Sequence, residues 1–241
     1  MKVYFLYMCS NHSVPVSERI KERLAANGDR YFANDNISAV IKDGEHAELI
    51  DELTSKFEAV LSSLVIDIDN DPNSQDTGRR LAKMYVNEIM WGRFHPAPKV
   101  TAFPNDGTSG SESYDGMLVI HAEIKSMCSH HHQPVWGHAY IGIIPGDKVI
   151  GLSKYTRIAQ HCARRGTLQE ELTMDICKAI QEATDSQDVA VYVVAEHGCC
   201  VFRGIGAADS NTQTSIVRGK FLEKAEVRQE FFAQVQMQQR K

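Results

Sequence analysis

The amino-acid sequence predicts an α+β fold in which helices come first and antiparallel pairs of strands follow. Up to about residue 92, apolar residues recur at steps of three and four, the period of an amphipathic helix. After residue 113 the pattern changes to short runs rich in Val, Ile and Tyr, which flank two further helical segments. Strand runs that bracket a few helices favour an antiparallel sheet over a parallel one.

Length and charge limit the classes of function. The chain has 241 residues, 43% of them hydrophobic, which is enough to bury a core. Its net charge of −5 disfavours general binding to nucleic acid or membrane surfaces. No apolar run approaches the ~20 residues of a membrane helix, and the start lacks the features of a signal peptide. Six irregularly spaced cysteines favour a reducing cytoplasm over a disulfide framework. We therefore expect a cytoplasmic protein without nucleic-acid or membrane partners.

The first 92 residues are predicted to be mainly helical. Residues 1–45 form an N-terminal extension, with a possible strand at "KVYFLYM" and a helix over "VSERIKERLAAN" that Gly28 ends. Residues 46–92 form a helical region, with one helix over 46–70 and a second over "RRLAKMYVNEIMW". The turn-rich stretch "DNDPNSQDTG" separates these two helices.

Residues 93–241 are predicted to be a domain of strands and helices. A loop over 93–113 comes first, and then two strands over "YDGMLVIHAEIKSM" and "GHAYIGIIPG". A strand gives way to a helix near Ser153, and an amphipathic helix follows over "LQEELTMDICKAIQEATDSQ". The order then predicts a long strand over "DVAVYVVAEHGCCVFRGIG", another over "TQTSIVRGKF", and a polar C-terminal helix.

The long late strand carries an unusual face. Alternate residues of a strand share a side, so His197, Cys199 and Arg203 are expected to point one way and Cys200 the other. An imidazole, a thiol and a guanidinium in a row suggest a reactive surface. The alternative is a half-buried strand in which the cysteine is a small core residue.

The stretch "MCSHHH" offers metal ligands. Cys128 and His131 are separated by two residues, a spacing that lets both side chains reach one ion from a turn. With Cys199 they would form a Cys₂His set, which leaves zinc an open fourth position of the catalytic kind. Two alternatives stay open: a closed structural site with His130 or His132 as fourth ligand, or a surface histidine cluster without a metal.

A set of basic residues suggests phosphate binding. Ser153, Lys154 and Arg157 lie where a strand becomes a helix, a position whose free N–H groups attract anions. Further cations that could join a triphosphate cradle are Arg80, Lys83 and Arg203. Each of these alone is better explained as a solvated surface charge, and only the set together suggests a phosphate site.

Two polar residues begin the amphipathic helix. Gln169 and Glu170 stand in its first turn, where a carboxylate complements the helix dipole. That preference alone explains them. A sharper hypothesis is that the exposed carboxylate accepts hydrogen bonds from adjacent N–H donors of a base such as guanine.

Six separated segments together resemble one known family. They are "RLAKMYVNEI", "MCSHHHQPVWG", "IGLSKYTRI", "ARR…LQEELT", "HGCCVFRG" and "TSIVRGKF", in this order. They are similar to GTP cyclohydrolase I of type I-A, over roughly residues 46–235. Departures from the family pattern are Ser129 for a Glu, His132 for an apolar residue, His138 for a Lys and Gly78 for a Pro.

The resemblance implies a role for each candidate residue. The implied zinc (Zn²⁺) ligands are Cys128, His131 and Cys199. The implied catalytic residues are His130, His197 and Ser153, the last near the ribose. Gln169 and Glu170 would recognise guanine. The triphosphate would be bound by Lys154, Arg157 and Arg203, and by Arg80 and Lys83 from a neighbouring subunit.

The resemblance also implies a fold, a reaction and an assembly. The fold is the tunnelling fold (T-fold), an antiparallel sheet with helices on one face, which would make residues 93–241 the catalytic domain. Members of the family assemble as a homodecamer with active sites between subunits. The reaction is zinc-dependent hydrolysis and rearrangement of GTP to 7,8-dihydroneopterin triphosphate with release of formate, the first step of pterin and folate, or deazapurine, biosynthesis. Two alternatives are a zinc-stabilised non-catalytic paralogue that binds nucleotides or a partner, and a T-fold enzyme that acts on another purine nucleotide.

Overall fold

The computed structural model describes residues 14–106 and 113–240. Its helices are α1 Val16–Asn27, α2 Glu45–Ser63, α3 Thr77–Met84, α4 Trp91–Phe94, α5 Leu152–Ala163, α6 Gln169–Thr184, α7 Gly198–Val201, α8 Lys220–Glu223 and α9 Ala225–Gln239. A 3₁₀ turn covers Ser38–Val40, and a π-helical turn over Tyr85–Ile89 joins α3 to α4. The strand predicted at "KVYFLYM" lies outside the described residues.

The strands form one large sheet and one small one. The strands are β1 Ala102–Pro104, β2 Leu118–Cys128, β3 Pro134–Ile143, β4 Lys148–Ile150, β5 Gly166–Thr167, β6 Val189–His197 and β7 Asn211–Val217. The large sheet has the order β5-β2-β3-β6-β7, and all its pairs are antiparallel except β5 with β2. The small sheet pairs β1 with β4, so a strand lies within the segment predicted as a loop. The predicted α+β fold with mainly antiparallel pairing is confirmed.

Helices α5 and α6 cover one face of the large sheet because alternate strand residues are apolar. Ile141, Val191 and Val193 are fully buried against α5 and α6, which contribute Tyr155 and Ile176. Strand residues of the opposite parity pack elsewhere: the C-terminal segment with α8 and α9 lies over part of the other face. None of the helices in the described part of the chain combines the length and apolar composition needed to cross a bilayer.

The helix predicted over 46–70 is shorter than expected. It ends at Ser63, because Val65 adopts a left-handed conformation with φ 62°. The Ile66 amide then donates to the Leu61 carbonyl at 3.2 Å, a bond that closes a helix end. The helix predicted before Gly28 is confirmed, with Gly28 left-handed at φ 72°.

The long late strand also ends earlier than predicted. Strand β6 stops at His197, which lies opposite Val135 of β3. The next partner along β3 is Pro134, which has no amide hydrogen to continue the ladder. The chain turns instead into α7, with the Phe202 amide donating to the Gly198 carbonyl at 2.9 Å. The prediction that Cys199 and Arg203 share a strand face with His197 is therefore wrong.

A half-buried arginine, Arg165, ties the N-terminal segment to the core helices. The Arg165 guanidinium donates to the carbonyls of Gly92 at 3.2 Å and Asn34 at 3.1 Å, and to His161 Nδ1 at 3.1 Å. Since Nδ1 accepts, His161 carries its proton on Nε2, which donates to the His95 carbonyl at 3.0 Å. Three chain segments thus depend on a neutral imidazole that the sequence pattern did not single out.

The neutral state of this imidazole makes stability depend on pH. Burial lowers the pKa of His161 below its ordinary value of 6.5. Below that value the unfolded chain binds a proton that the folded chain does not, so the free energy of unfolding falls as the pH drops. We expect a lower denaturant midpoint at pH 5.5 than at pH 7.5. His161→Gln, whose side-chain amide keeps a donor group and an acceptor oxygen but does not titrate, should reduce this difference. An unchanged difference would place its origin elsewhere.

Candidate active site

One end of the large sheet collects chemically active side chains from distant parts of the chain. Cys128 ends β2 and pairs with Thr167 of β5, two residues before Gln169 begins α6. On the next strand pair, His197 at the end of β6 lies opposite Val135. Strand register therefore brings Cys128, Gln169 and His197 to the same edge of the core.

Two cysteines meet at this edge. The Cys199 thiol, in the α7 turn, lies close to the Cys128 thiol. Burial, with the neighbouring Cys128 as a further cause, raises the pKa of Cys199 to about 11. The Cys200 thiol is also close to Cys199, because the chain turns here instead of continuing as a strand. The expectation that Cys200 faces away from Cys199 is wrong.

The histidine-rich stretch forms a tight turn between β2 and β3. The His132 amide donates to the Cys128 carbonyl at 2.9 Å, and the Cys128 amide donates to the Gln133 carbonyl at 3.0 Å. His132 is left-handed, at φ 50°, and its ring lies 5.8 Å from the Tyr85 ring. His130 is exposed, and its ring centroid is 6.4 Å from that of His131.

His131, the predicted metal ligand that accompanies the two cysteines, points toward an arginine. The guanidinium of Arg203 donates from Nη1 to His131 Nε2 at 3.0 Å. Because Arg can only donate, the lone pair of that nitrogen is directed at Arg203. Within residues 14–106 and 113–240, no three His, Cys, Asp or Glu side chains are arranged to hold a metal ion. The two thiols are together, and the imidazole of His131 is turned to another partner.

The second predicted catalytic histidine is held by the first residue of α6. His197 Nε2 lies 2.7 Å from Gln169 Oε1, and the Gln169 amide nitrogen lies 2.9 Å from the Thr212 carbonyl. Burial lowers the pKa of His197, while the nearby charge of Glu170 acts in the opposite direction. Glu170 itself is exposed in the first turn of α6. The sequence pattern gave no sign of Thr212, because it contributes a backbone carbonyl.

The predicted phosphate-binding residues of α5 lie at the other end of this helix. Ala163 ends α5 three residues before β5, which pairs beside Cys128. Ser153 and Lys154 are in its first turn, roughly 15 Å away at about 1.5 Å of rise per helical residue. Lys154 Nζ donates to the Lys99 carbonyl at 2.7 Å. A single chain therefore does not bring this group to the thiols.

The remaining cations project from the surface. Arg157 is exposed and lines a cavity of about 410 Å³ between α5 and the segment around Pro96. On α3, Arg80 and Lys83 are exposed, and Arg80 Nη2 donates to the Asn73 carbonyl at 3.0 Å. Of the predicted triphosphate ligands, only Arg203 lies beside the cysteine and histidine cluster of one chain.

Comparisons with a family model and with known proteins all point to the same family. A family model described as GTP cyclohydrolase I matches residues 53–236. A protein of Campylobacter jejuni subsp. doylei named GTP cyclohydrolase 1 is 35% identical over 184 residues, 75% of this chain and 95% of that protein. A Flavobacterium johnsoniae protein of the same name is 35% identical over 199 residues, 80% of this chain and 86% of its own length. A Pseudoalteromonas translucida protein of that name is 36% identical over 183 residues, covering 75% of this chain and 95% of its own.

The solved structure of an archaeosine synthase QueF-Like protein in the apo form is also similar to part of the chain. It is 17% identical, covers 43% of this chain and 93% of its own, and superposes with a TM-score of 0.36. The family match spans more than half of the chain and includes every predicted site residue. The chain belongs to the GTP cyclohydrolase I family.

Proposed function

We propose that this enzyme hydrolyses and rearranges GTP to 7,8-dihydroneopterin triphosphate and releases formate. Membership of the family supports GTP cyclohydrolase activity. The observation that carries the proposal is the meeting of Cys128, Cys199, His197 and Glu170 at one end of the sheet. We place the reaction at the start of pterin and folate, or deazapurine, biosynthesis, and in the cytoplasm.

Zinc is the proposed cofactor, held by Cys128, Cys199 and His131. Two thiolates and one imidazole form a donor set that binds zinc in preference to magnesium or calcium. The two thiols already lie together. His131 is in the turn that follows Cys128 and would have to exchange Arg203 for the ion. When bound, zinc supplies a water of lowered pKa for attack on a purine carbon.

The histidines are proposed to move protons during ring opening and closure. His197 donates from Nε2 to Gln169. Its Nδ1 therefore keeps a lone pair and is the nitrogen that can take a proton from the substrate. His130 is exposed beside the metal-binding turn and is not needed as a ligand in this proposal. Glu170, exposed at the start of α6, is proposed to accept hydrogen bonds from the N–H groups of guanine.

Placing the triphosphate ligands near the zinc site requires more than one copy of the chain. Ser153, Lys154 and Arg157 lie about one helix length from Cys128. In the described part of the chain, the outer edge of β7 and the Leu118–Ser126 edge of β2 carry no further strand. Free edges are templates for pairing between subunits. We propose a homodecamer in which these residues, with Arg80 and Lys83, complete a neighbouring site.

Incubation of the purified full-length protein with GTP and zinc tests the proposed function. We expect formate and, after oxidation, a fluorescent pterin in equal amounts. The same assay with other purine nucleoside triphosphates tests the alternative substrates, and we expect GTP to be preferred. If a zinc-loaded sample yields neither formate nor a pterin, the result would favour a non-catalytic paralogue. Formate without a pterin would indicate a different rearrangement.

A further inference from the structure

Every hydrogen-bonding group of the Gln169 side chain is used inside the protein. Its amide nitrogen lies 2.9 Å from the Thr212 carbonyl, 3.2 Å from Thr214 Oγ1 and 3.3 Å from the Val193 carbonyl. Its amide oxygen lies 2.7 Å from His197 Nε2. Only 4% of the residue is exposed. A primary amide has two donor hydrogens, so the three oxygens around the nitrogen already exceed its capacity.

These partners fix which way the amide faces. Two of the oxygens near the nitrogen are backbone carbonyls, which can only accept hydrogen bonds. The nitrogen of Gln169 must therefore point at the sheet, and its oxygen must point at His197. A carbonyl oxygen can only accept, so His197 Nε2 has to carry a hydrogen. In the neutral imidazole this leaves the lone pair on Nδ1.

A pair of threonines braces the same arrangement. Thr173, one turn after Gln169 on α6, donates to the Gln169 carbonyl at 2.8 Å. Its hydroxyl also lies 2.6 Å from Thr214 Oγ1, on β7. Thr173 is 3% exposed. The first turn of α6 is thus anchored to the sheet, and the Gln169 side chain has no freedom to rotate without losing several buried bonds.

We propose that Gln169 is a positioning residue that fixes the tautomer and orientation of His197. In this role its amide acts through the imidazole, and recognition of the guanine edge falls to Glu170. The proposal rests on the proposed function only where it concerns catalysis, since the tautomer of His197 is a property of the protein without substrate. A wrong tautomer would present a hydrogen where the reaction needs a lone pair.

Nitrogen-15 NMR of the histidine-labelled full-length protein tests the tautomer. His197→Asn identifies the signal by its loss. We expect an Nε2-bound hydrogen on His197 in the wild type, and loss of that preference in Gln169→Met, which has no acceptor. Gln169→Glu loses the same amide donors as Gln169→Met and keeps an acceptor oxygen, so it should retain the Nε2 hydrogen. Gln181→Met, the same substitution farther along α6, is the matched control and should leave the signal unchanged. An unchanged signal in Gln169→Met would overturn the proposal.

Steady-state kinetics separates positioning from base recognition. In Gln169→Met we expect kcat to fall about tenfold to 100-fold, while KM for GTP changes less than about threefold. A raised KM with unchanged kcat would overturn the proposal and assign Gln169 to the guanine edge. If the wild-type protein makes no product from GTP, the proposed function fails, and the NMR comparison still decides the tautomer. Matching circular dichroism spectra of the two Gln169 variants exclude unfolding as the cause of a lost signal.

Discussion

Cys199→Ala is expected to lose bound zinc and formate release together. Removal of one thiolate from a three-ligand site leaves only Cys128 and His131, too few donors for tight binding. His130→Ala is expected to keep about one zinc per chain and to lose activity by about 100-fold or more, as removal of an acid–base group does. The contrast follows from the proposed ligand set of Cys128, His131 and Cys199, in which His130 is left to transfer protons.

Two measurements on each dialysed variant distinguish these outcomes: the zinc content by elemental analysis and the rate of formate release. Cys200→Ala is the matched control, because it removes the neighbouring thiol of the same α7 turn. It should retain zinc. Loss of zinc in Cys200→Ala would show that the ligand set includes the third thiol. Retained zinc with full activity in Cys199→Ala would contradict the proposed site.

Gly92→Ala is expected to lower the free energy of unfolding by about 3 kcal/mol or more, at the upper end of overpacking effects. Gly92 lies in α4 against the end of α5, and an added Cβ would overlap the backbone carbonyl oxygen of His161. The same Cβ would lie 3.1 Å from the Arg164 carbonyl oxygen. Because the obstacles are backbone atoms, they cannot move aside as a flexible side chain would. The shift would also disturb the bond from Arg165 to the Gly92 carbonyl.

Chemical denaturation of wild type and variant at one protein concentration measures this effect, because the proposed subunit association would add to apparent stability. Gly146→Ala is the matched control, since a Cβ at Gly146 meets no atom within 4 Å. Its unfolding free energy should stay within about 0.5 kcal/mol of the wild type. Equal midpoints for the two variants would show that α4 can move away from α5 at little cost.

The sequence predicted much of the fold because local patterns dominate its regular elements. The amphipathic periodicity of α6 and the Gly28 end of α1 are decided by neighbours in sequence, and both were confirmed. The early end of β6 was missed because it depends on the lack of an amide hydrogen at Pro134, which is distant in sequence. The strand β1 was missed for a similar reason, since it exists only through pairing with β4.

The sequence by itself determined the family, through six ordered motifs, and it contains the residue types that the proposed zinc-dependent reaction on a nucleotide requires. The tertiary structure decided which of those residues meet in one chain. It places Cys128 beside Cys199, turns Cys200 toward the same thiol, directs His131 at Arg203 and encloses the Gln169 amide. These facts depend on strand register and on where hydrogen bonds are satisfied, and residue spacing encodes neither. The tertiary structure also separates the α5 cations from the thiols by about a helix length. For this reason we propose that a second copy of the chain completes the site.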